Sequence, residues 1–332
     1  MFLGFELSLI FAGLLGLSIL IYVVLDGFDL GVGLLFPFAS AEERDTMVAS
    51  IGPFWDANET WLVLAIGILL VAFPIAHGVI LTQLYLPVAI MLIGLILRGV
   101  AFEFRAKAPP AHKRAWDFAF FSGSLMAALS QGFMLGLYIM GLKYNWWHVG
   151  FALVTAAFLT VAYSFIGATW LLAKTDGELQ HKAAHWSRGG IWGVVLGLAA
   201  ISIATPLVSP RIYEKWFHLP EMLYLSPLPV VSAALIALIS WRLVRFDEEG
   251  DRLAWLPFVA TILLFALGFA GMAYSFYPFI VPDALTIQEA ASAPESLSII
   301  LVGTLVVLPT IIAYSALSYW IFRGKAKTLS YD

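Results

Sequence analysis

The stretch Gly52-Pro53-Phe54-Trp55-Asp56-Ala57-Asn58-Glu59-Thr60-Trp61 opens a long apolar run and places two carboxylates where membrane hydrocarbon should begin. Ionisable side chains at membrane depth are costly and usually move or bind charge. A second acidic pair, Asp26 and Asp29, closes the first apolar run. Carboxylates at helix ends facing one side of a membrane indicate proton handling rather than soluble chemistry.

The composition is that of an integral membrane protein. Of 332 residues, 61% are hydrophobic and 12% are charged, whereas soluble domains carry about 25% charged residues. Cysteine is absent, which excludes disulfides, thiolate metal sites, iron–sulfur clusters and cysteine nucleophiles. The net charge of −4 indicates no nucleic-acid partner. No Lys or Arg precedes Arg44, so the start lacks the basic region of a cleavable signal peptide and is expected to be a retained span.

Stretches of about 20 apolar residues predict an all-α integral membrane protein with nine transmembrane helices in a single domain, residues 1–332. The predicted spans are 5–38, 53–73, 77–98, 117–141, 147–173, 188–208, 227–245, 254–280 and 297–322. Pro74 and a turn at Ala76-His77-Gly78 are expected to separate the second span from the third. We expect two four-helix groups with the last helix peripheral to both.

The distribution of basic residues predicts a periplasmic N-terminus and a cytoplasmic C-terminus. With nine spans in this orientation, every Lys and Arg except Lys143, Arg211 and Lys215 falls in a cytoplasmic segment or at its border. Such a bias is what the positive-inside rule requires. Both acidic pairs then lie in the cytoplasmic half of the membrane.

Asp56 and Glu59 are three residues apart and therefore share one face of the second helix. Two explanations remain open for them. An acid near a helix N-terminus is stabilised by the helix dipole by about 0.3–1 kcal/mol, and Pro53 suits the first position of a helix. Glu59 lies past the first turn, where that effect has faded. A role in proton or cation entry is the other explanation, and Asn58 adds a hydrogen-bonding group there.

Asp26 and Asp29 also share one helix face. Arg98 ends the third span on the same side and is followed by Glu103 and Arg105. The pair could therefore be interfacial acids that form ion pairs with Arg98 or Arg105, in a glycine-rich segment that allows close helix approach. Two acidic pairs on the same side favour a proton or cation entry route.

Histidine placement argues against a haem in this chain. A haem or metal site in a membrane bundle needs His projecting inward from the spans. The histidines all fall in predicted loops or at span ends: His77, His112, His148, His181, His185 and His218. The sequence therefore predicts no metal site and no haem held by this chain alone.

Gln131, in the segment Ser130-Gln131-Gly132, places a polar amide in the middle of the fourth span. The default explanation is a hydrogen bond between helices, worth about 0.6–2 kcal/mol. A buried water chain and a contact with a quinone carbonyl remain alternatives.

Three ordered motifs resemble subunit II of the cytochrome bd-type quinol oxidases. They are YVVLDGFDLG at 22–31, GPFWDANETW at 52–61 and RGVAFEFR at 98–105, and the segment around Gln131 fits as well. The motifs lie in the first ~140 residues, and the resemblance beyond them is one of hydropathy. Length and loop pattern fit the cyanide-insensitive branch of that family as well as the other branch.

The resemblance implies a heterodimer in the bacterial cytoplasmic (inner) membrane. Such an enzyme oxidises quinol, reduces oxygen to water and generates a proton-motive force with protons taken from the cytoplasm. Subunit I would carry the haems, two of type b and one of type d or a b-type substitute. This chain would stabilise subunit I, contact membrane lipid and supply part of a proton route. The resemblance leaves open a small single-helix third subunit and a structural quinone in this chain.

Carried over by motif position, the resemblance makes Asp56 the expected proton relay. Glu59, Asp26 and Asp29 match acidic motif positions of the same route. The supporting motif residues are Trp55, Asn58, Arg98, Glu103 and Gln131. No cofactor-binding residue is assigned. The alternative class is a secondary transporter that uses the same acids for proton or cation coupling, although such transporters commonly show inverted repeats and none is visible here.

Overall fold

The computed structural model describes residues 6–326. Residue 5, the predicted start of the first span, and Lys327, one of the predicted cytoplasmic basic residues, lie outside them. Within this range nine helices are long and apolar enough to cross a membrane, which confirms the all-α prediction and its span count. In chain order the elements are α1 (Leu7–Leu35), α2 (Ala41–Ile51), α3 (Trp55–Ala72), α4 (Pro74–Lys107), α5 (Pro110–Ile139), α6 (Trp146–Lys174), α7 (Gly177–Val208), α8 (Pro210–Phe217), α9 (Glu221–Leu225), α10 (Pro227–Val244), α11 (Phe246–Glu249), α12 (Leu256–Phe276), β1 (Phe279–Val281), β2 (Leu285–Thr286), α13 (Ile287–Ala290) and α14 (Pro294–Ile321).

The predicted separation of the second and third spans is confirmed. Helix α3 ends at Ala72 and α4 begins at Pro74, because proline suits the first helical position, where its missing N–H is not needed. The predicted turn at Ala76-His77-Gly78 is wrong, since these residues lie inside α4.

We call the end of the bundle at which α14 finishes the C-side end. At this end the helices extend further than predicted. Helix α4 continues to Lys107 and α5 begins at Pro110, so the predicted connection at 98–116 is mostly helical. Helix α7 begins at Gly177 and includes His181 and His185, which were predicted to lie in a loop. Hydropathy marks where a helix leaves hydrocarbon, not where its hydrogen bonding stops.

The predicted loop 39–52 also contains a helix, α2. The Ser40 side chain accepts from the Glu43 backbone N–H, and the Glu43 carboxylate accepts from the Ser40 N–H. This arrangement is a capping box, whose S-x-x-E signature is visible in the sequence.

Glycine allows α1 to pack closely on its neighbours, as expected from its sequence. A Cβ on Gly31 would overlap the Tyr163 carbonyl of α6, and a Cβ on Gly167 would lie 2.5 Å from the Gly31 carbonyl carbon. Gly27 faces the Tyr163 ring and Gly33 faces the Ser124 hydroxyl of α5. Helix α1 therefore lies in the interior, against α3, α5 and α6.

The last helix is fixed at its C-side end. The Tyr319 ring stacks on Phe54 with centroids 4.5 Å apart. Beyond the helix, Lys325 Nζ lies 2.6 Å from Asp251 Oδ1 and donates to the Thr175 carbonyl at 3.0 Å. The grouping of the helices and their orientation in the membrane remain predictions.

At the opposite end, where α1 begins and which we call the N-side end, a short hairpin and α13 cover the bundle. Strands β1 and β2 are antiparallel. The Tyr138 hydroxyl donates to the Ile280 carbonyl at 2.7 Å, and the Ser292 N–H donates to the Ala72 carbonyl at 2.8 Å. The hairpin is thereby attached to α5, and the residues after α13 are attached to the end of α3.

Candidate functional site

A buried polar cluster lies in the C-side half of the bundle, where α1, α3 and α4 meet. Arg98 Nη1 donates to Asp26 Oδ1 at 2.6 Å, and 1% and 0% of these two side chains is exposed. Arg98 Nη2 lies 3.1 Å from Glu59 Oε1, an ion pair without hydrogen-bond geometry. Arg98 thus links carboxylates from two different helices, and Glu59, 28% exposed, forms the border of the cluster.

Asp29 adjoins this ion pair and is bound by an amide. Asn58 Nδ2 donates to Asp29 Oδ2 at 2.8 Å, and Asn58 Oδ1 accepts from the Tyr319 hydroxyl at 3.0 Å. Among the described residues, Asp29 Oδ1 and Asp26 Oδ2 are buried without a hydrogen-bond partner. Each of these oxygens can therefore accept a further hydrogen bond or hold a proton.

The structure gives Asp26 and Asp29 different partners. Asp26 pairs with Arg98, as the interfacial ion-pair explanation expected. Arg105 takes no part in the cluster, because its guanidinium binds Asp117 and Asp45 instead. Asp29 has Asn58 as its neighbour and no ion pair is found for it within residues 6–326.

Gln131 connects three helices above the acidic cluster. Its Nε2 donates to the Tyr22 hydroxyl at 2.8 Å, and its Oε1 accepts from the Tyr163 hydroxyl at 2.7 Å. Hydrogen bonding between helices, the default explanation, is therefore what the structure supports. Tyr22 and Tyr163 were missed by sequence reasoning, although Tyr22 lies one helical turn before Asp26 and so on the same face of α1.

The remaining motif residues lie at the edge of the cluster or outside it. Asp56 is in the first turn of α3 with its side chain exposed, one turn from Glu59. Trp55 packs on Phe102 with ring centroids 5.1 Å apart. Glu103 is exposed and lies outside the cluster, so its supporting role stays a prediction.

A second ionic network closes the C-side end below the cluster. Arg105 Nε contacts Asp117 Oδ1 at 2.5 Å and its Nη1 contacts Asp45 Oδ1 at 2.7 Å. Arg44 also binds Asp117, at 2.9 Å. Burial acts to raise the pKa of Asp45, but hydrogen bonds from Arg105 and Lys113 outweigh it and hold that pKa below its usual value. The network joins α2, α4 and α5, and Asp45 and Asp117 were not singled out from the sequence.

Histidine positions do not fit a haem held by this chain. Axial ligands in a bundle project from facing helices into the core. The histidines lie in the first turns of α4, α5 and α6, in the C-side part of α7 and after α8: His77, His112, His148, His181, His185 and His218. None is at mid-span, so no pair faces another across the core.

Comparison with known proteins gives one consistent result. The family model described as cytochrome bd terminal oxidase subunit II matches residues 7–322. The chain is 28% identical to cytochrome bd ubiquinol oxidase subunit 2 of Bacillus subtilis, over 92% of each chain. It is 27% identical to cytochrome bd-I ubiquinol oxidase subunit 2 of Escherichia coli, over 94% of this chain and 93% of the relative. A bd oxidase structure from Geobacillus thermodenitrificans has a similar fold, with a TM-score of 0.78 at 18% identity, covering 95% of this chain and 98% of that one.

Proposed function

The chain belongs to the cytochrome bd terminal oxidase subunit II family, and from this premise we propose that it supplies a cytoplasmic proton uptake route and stabilises a haem-bearing subunit I. It is a multi-pass protein of the bacterial inner membrane and part of a haem-using oxidoreductase complex with a partner subunit. In our proposal the complex oxidises quinol and reduces oxygen to water. In our proposal the partner holds the haems, since no histidine of this chain lies at mid-span, where axial ligands project into the core of a bundle.

The observation that carries the proposal is the buried cluster of Asp26, Asp29, Glu59 and Arg98. Hydrocarbon is a barrier to protons, so a proton consumed at a buried site must pass along carboxylates, hydroxyls and water. The cluster holds more carboxylates than guanidinium groups, and excess buried negative charge favours uptake of a proton. The partnerless oxygens of Asp26 and Asp29 are positions where such a proton could reside.

The entry to this route lies on α3. Asp56 is exposed in the first turn, Glu59 is partly exposed one turn on, and Glu59 touches Arg98. In our proposal a proton passes from Asp56 to Glu59 and then to the acids around Arg98. The mechanism requires only that neighbouring groups exchange protons, directly or through water.

The exposed face of α3 is our candidate for the contact with subunit I. Asp56, Thr60, Val63 and Leu70 are all exposed and recur at helical spacing on one stripe. A carboxylate facing lipid at this depth is costly, so a protein surface opposite Asp56 is expected. That contact would stabilise the complex and place the proton entry at the interface between the two subunits.

The test is Asp56→Asn in the assembled complex. We expect slower quinol-dependent oxygen uptake with haem content unchanged, because the amide cannot carry a proton. Glu178→Gln, which removes an exposed acid in the first turn of α7, outside the cluster and outside the motifs, should leave uptake unchanged. An unaltered rate in the fully haemed Asp56→Asn complex would refute the relay. If that variant fails to assemble, Glu59→Gln tests the same route one step inward.

Haem placement has its own test. A reduced-minus-oxidised visible spectrum should lose its haem bands when this chain is separated from the partner. Bands that stay with the isolated chain would contradict the proposal.

No contact among residues 6–326 favours the secondary transporter. The structural quinone and the small third subunit remain expectations that the family resemblance leaves open.

A further inference from the structure

Residues 209–226 connect α7 to α10 at the N-side end and contain the short helices α8 and α9. The candidate membrane spans on either side are Gly177–Leu207 and Glu221–Val244, so α9 is counted with the second span and α8 lies between the two. Helix α8 therefore lies at the membrane surface, whichever way the chain is inserted. Neither the acidic cluster nor the proposed function involves it.

Helix α8 turns its cations toward the protein. Arg211 Nη1 donates to the Ser275 carbonyl at 3.2 Å, and its Nε contacts Asp283 Oδ1 at 3.0 Å. Lys215 Nζ donates to the Tyr274 carbonyl at 3.3 Å and to the Tyr277 carbonyl. These carbonyls end α12, where the helix dipole favours positive charge. Ile212, buried on the same side, completes the inward face.

The opposite face of α8 is uncovered and carries two aromatic rings, with the exposed carboxylate of Glu214 beside them. Tyr213 and Phe217, one turn apart, are 54% and 55% exposed, and their ring centroids lie 5.0 Å apart. A short surface helix in water would show the reverse arrangement, with cations outward and aromatic rings packed inward. This polarity indicates that the outward face of α8 meets an apolar environment.

The uncovered patch continues along the segment and onto both spans. Leu219, Leu223 and Tyr224 are exposed on or beside α9. Leu207 at the end of α7 and Val230 at the start of α10 are exposed as well. Because the patch is continuous with the apolar surfaces of two membrane helices, lipid is the occupant that covers all of it without a break.

We propose that residues 209–220, which contain α8, form an in-plane membrane anchor, with Tyr213 and Phe217 buried in the lipid interface at the N-side end. Amphipathic helices of this kind lie at the boundary between headgroups and acyl chains, where aromatic rings are enriched. The proposal also accounts for Arg211 and Lys215, which are exceptions to the positive-inside rule. Arg211 forms an ion pair with Asp283, and Lys215 donates to carbonyls at the end of α12, where the helix dipole favours a cation, so both charges are directed at the protein.

The absence of cysteine makes site-directed spin labelling the direct test. Tyr213→Cys and Phe217→Cys are labelled in the whole complex, in phosphatidylcholine nanodiscs and without quinol, so that oxygen is not consumed. Lys143→Cys, exposed on the α5–α6 connection at the same end, is the water reference. Leu305→Cys, exposed in the middle of α14, is the hydrocarbon reference. The complex with an unsubstituted chain corrects for labelling of the partner subunit.

Power saturation measures how often each label collides with oxygen and with a water-soluble nickel chelate. The ratio of oxygen collisions to nickel collisions should be several-fold higher for the labels at 213 and 217 than for the label at 143. The ratios at 213 and 217 should lie between that of the water reference at 143 and that of the hydrocarbon reference at 305. Nickel accessibility equal to that at 143 would mean a water-exposed face and overturn the anchor. Immobile labels shielded from both reagents would mean that a protein covers the patch, which also overturns it. Haem content confirms assembly, and Leu219→Cys, at an exposed position of the same segment, replaces any variant that fails to assemble.

Discussion

Asp26 and Arg98 are 72 residues apart in the chain and meet across two helices at 2.6 Å, both almost completely buried. A buried ion pair is weak evidence for net stability, because desolvation offsets much of the attraction. Its partners are nevertheless strongly interdependent, since either charge alone would be buried without compensation. This interdependence makes the pair testable.

Arg98→Gln should destabilise the complex by about 3–5 kcal/mol, because it leaves the Asp26 carboxylate buried without its cation. The double variant Asp26→Asn/Arg98→Gln removes the charge as well and should regain part of the loss. Thermal unfolding midpoints of the detergent-solubilised complex measure both. Arg245→Gln, an exposed arginine at the C-side end of α10, is the control. A midpoint for Arg98→Gln equal to that of this control would contradict the prediction.

Gly31→Ala should prevent normal assembly, because the new Cβ would overlap the Tyr163 carbonyl, and backbone cannot move aside as a side chain can. Overpacking costs typically about 1–3 kcal/mol where side chains can adjust, so we expect at least that loss. Gly13→Ala on the same helix meets nothing within 4 Å and should be tolerated. Purification yield and haem content per complex are the measurements. Equal yields for the two variants would show that α1 and α6 are not in close contact.

Tyr319→Phe should weaken the attachment of α14, because it removes the hydroxyl that donates to Asn58 while keeping the ring stacked on Phe54. A hydrogen bond between membrane helices is worth about 0.6–2 kcal/mol, so the midpoint should fall slightly. Tyr314→Phe, on an exposed position of the same helix, supplies the matched control. If both variants unfold at the same temperature, the Tyr319 hydroxyl contributes nothing.

Asp45→Asn should give a stability loss that depends on pH. Because the folded pKa of Asp45 lies below its usual value, its stabilisation is complete above the unfolded value of about 3.9 and is lost as the pH falls through the lower folded pKa. The difference in unfolding midpoint between the two proteins should therefore be constant at neutral pH and shrink below about pH 4. Asp45 is partly exposed, so high salt should reduce the difference. A gap that widens in acid would show that the carboxylate is not held by Arg105 and Lys113.

The sequence predicted the spans well because each long apolar run has a single solution in a membrane, a helix. It failed at the C-side ends of α4 and α7, because charged residues such as Lys107 and Glu178 continue a helix beyond the hydrocarbon as readily as they form a loop. The Ser40–Glu43 capping box was a readable signal for α2 that hydropathy does not register.

Within the site, the sequence placed Asp26, Asp29, Glu59 and Arg98 on one side but could not assign partners. Arg98 and Arg105 were equally plausible for Asp26, and only helix packing separates them. Helix packing also brings Glu59 into contact with Arg98. Asp56 lies one turn nearer the end of α3 and stays exposed. Tyr319 was not predictable at all, because it lies 261 residues from Asn58 and no local pattern connects them.

The hydrogen bond from Tyr319 to Asn58 has a consequence for biosynthesis. The helices that supply the acidic cluster are among the first to leave the ribosome, whereas Tyr319 is synthesised near the end of the chain. At about 5–20 residues per second, Asn58 waits many seconds inside the membrane before that hydroxyl arrives. Until then the face of α3 that carries Asn58 lacks its cover by α14, so a chain truncated before α14 would carry an incomplete cluster into assembly with its partner.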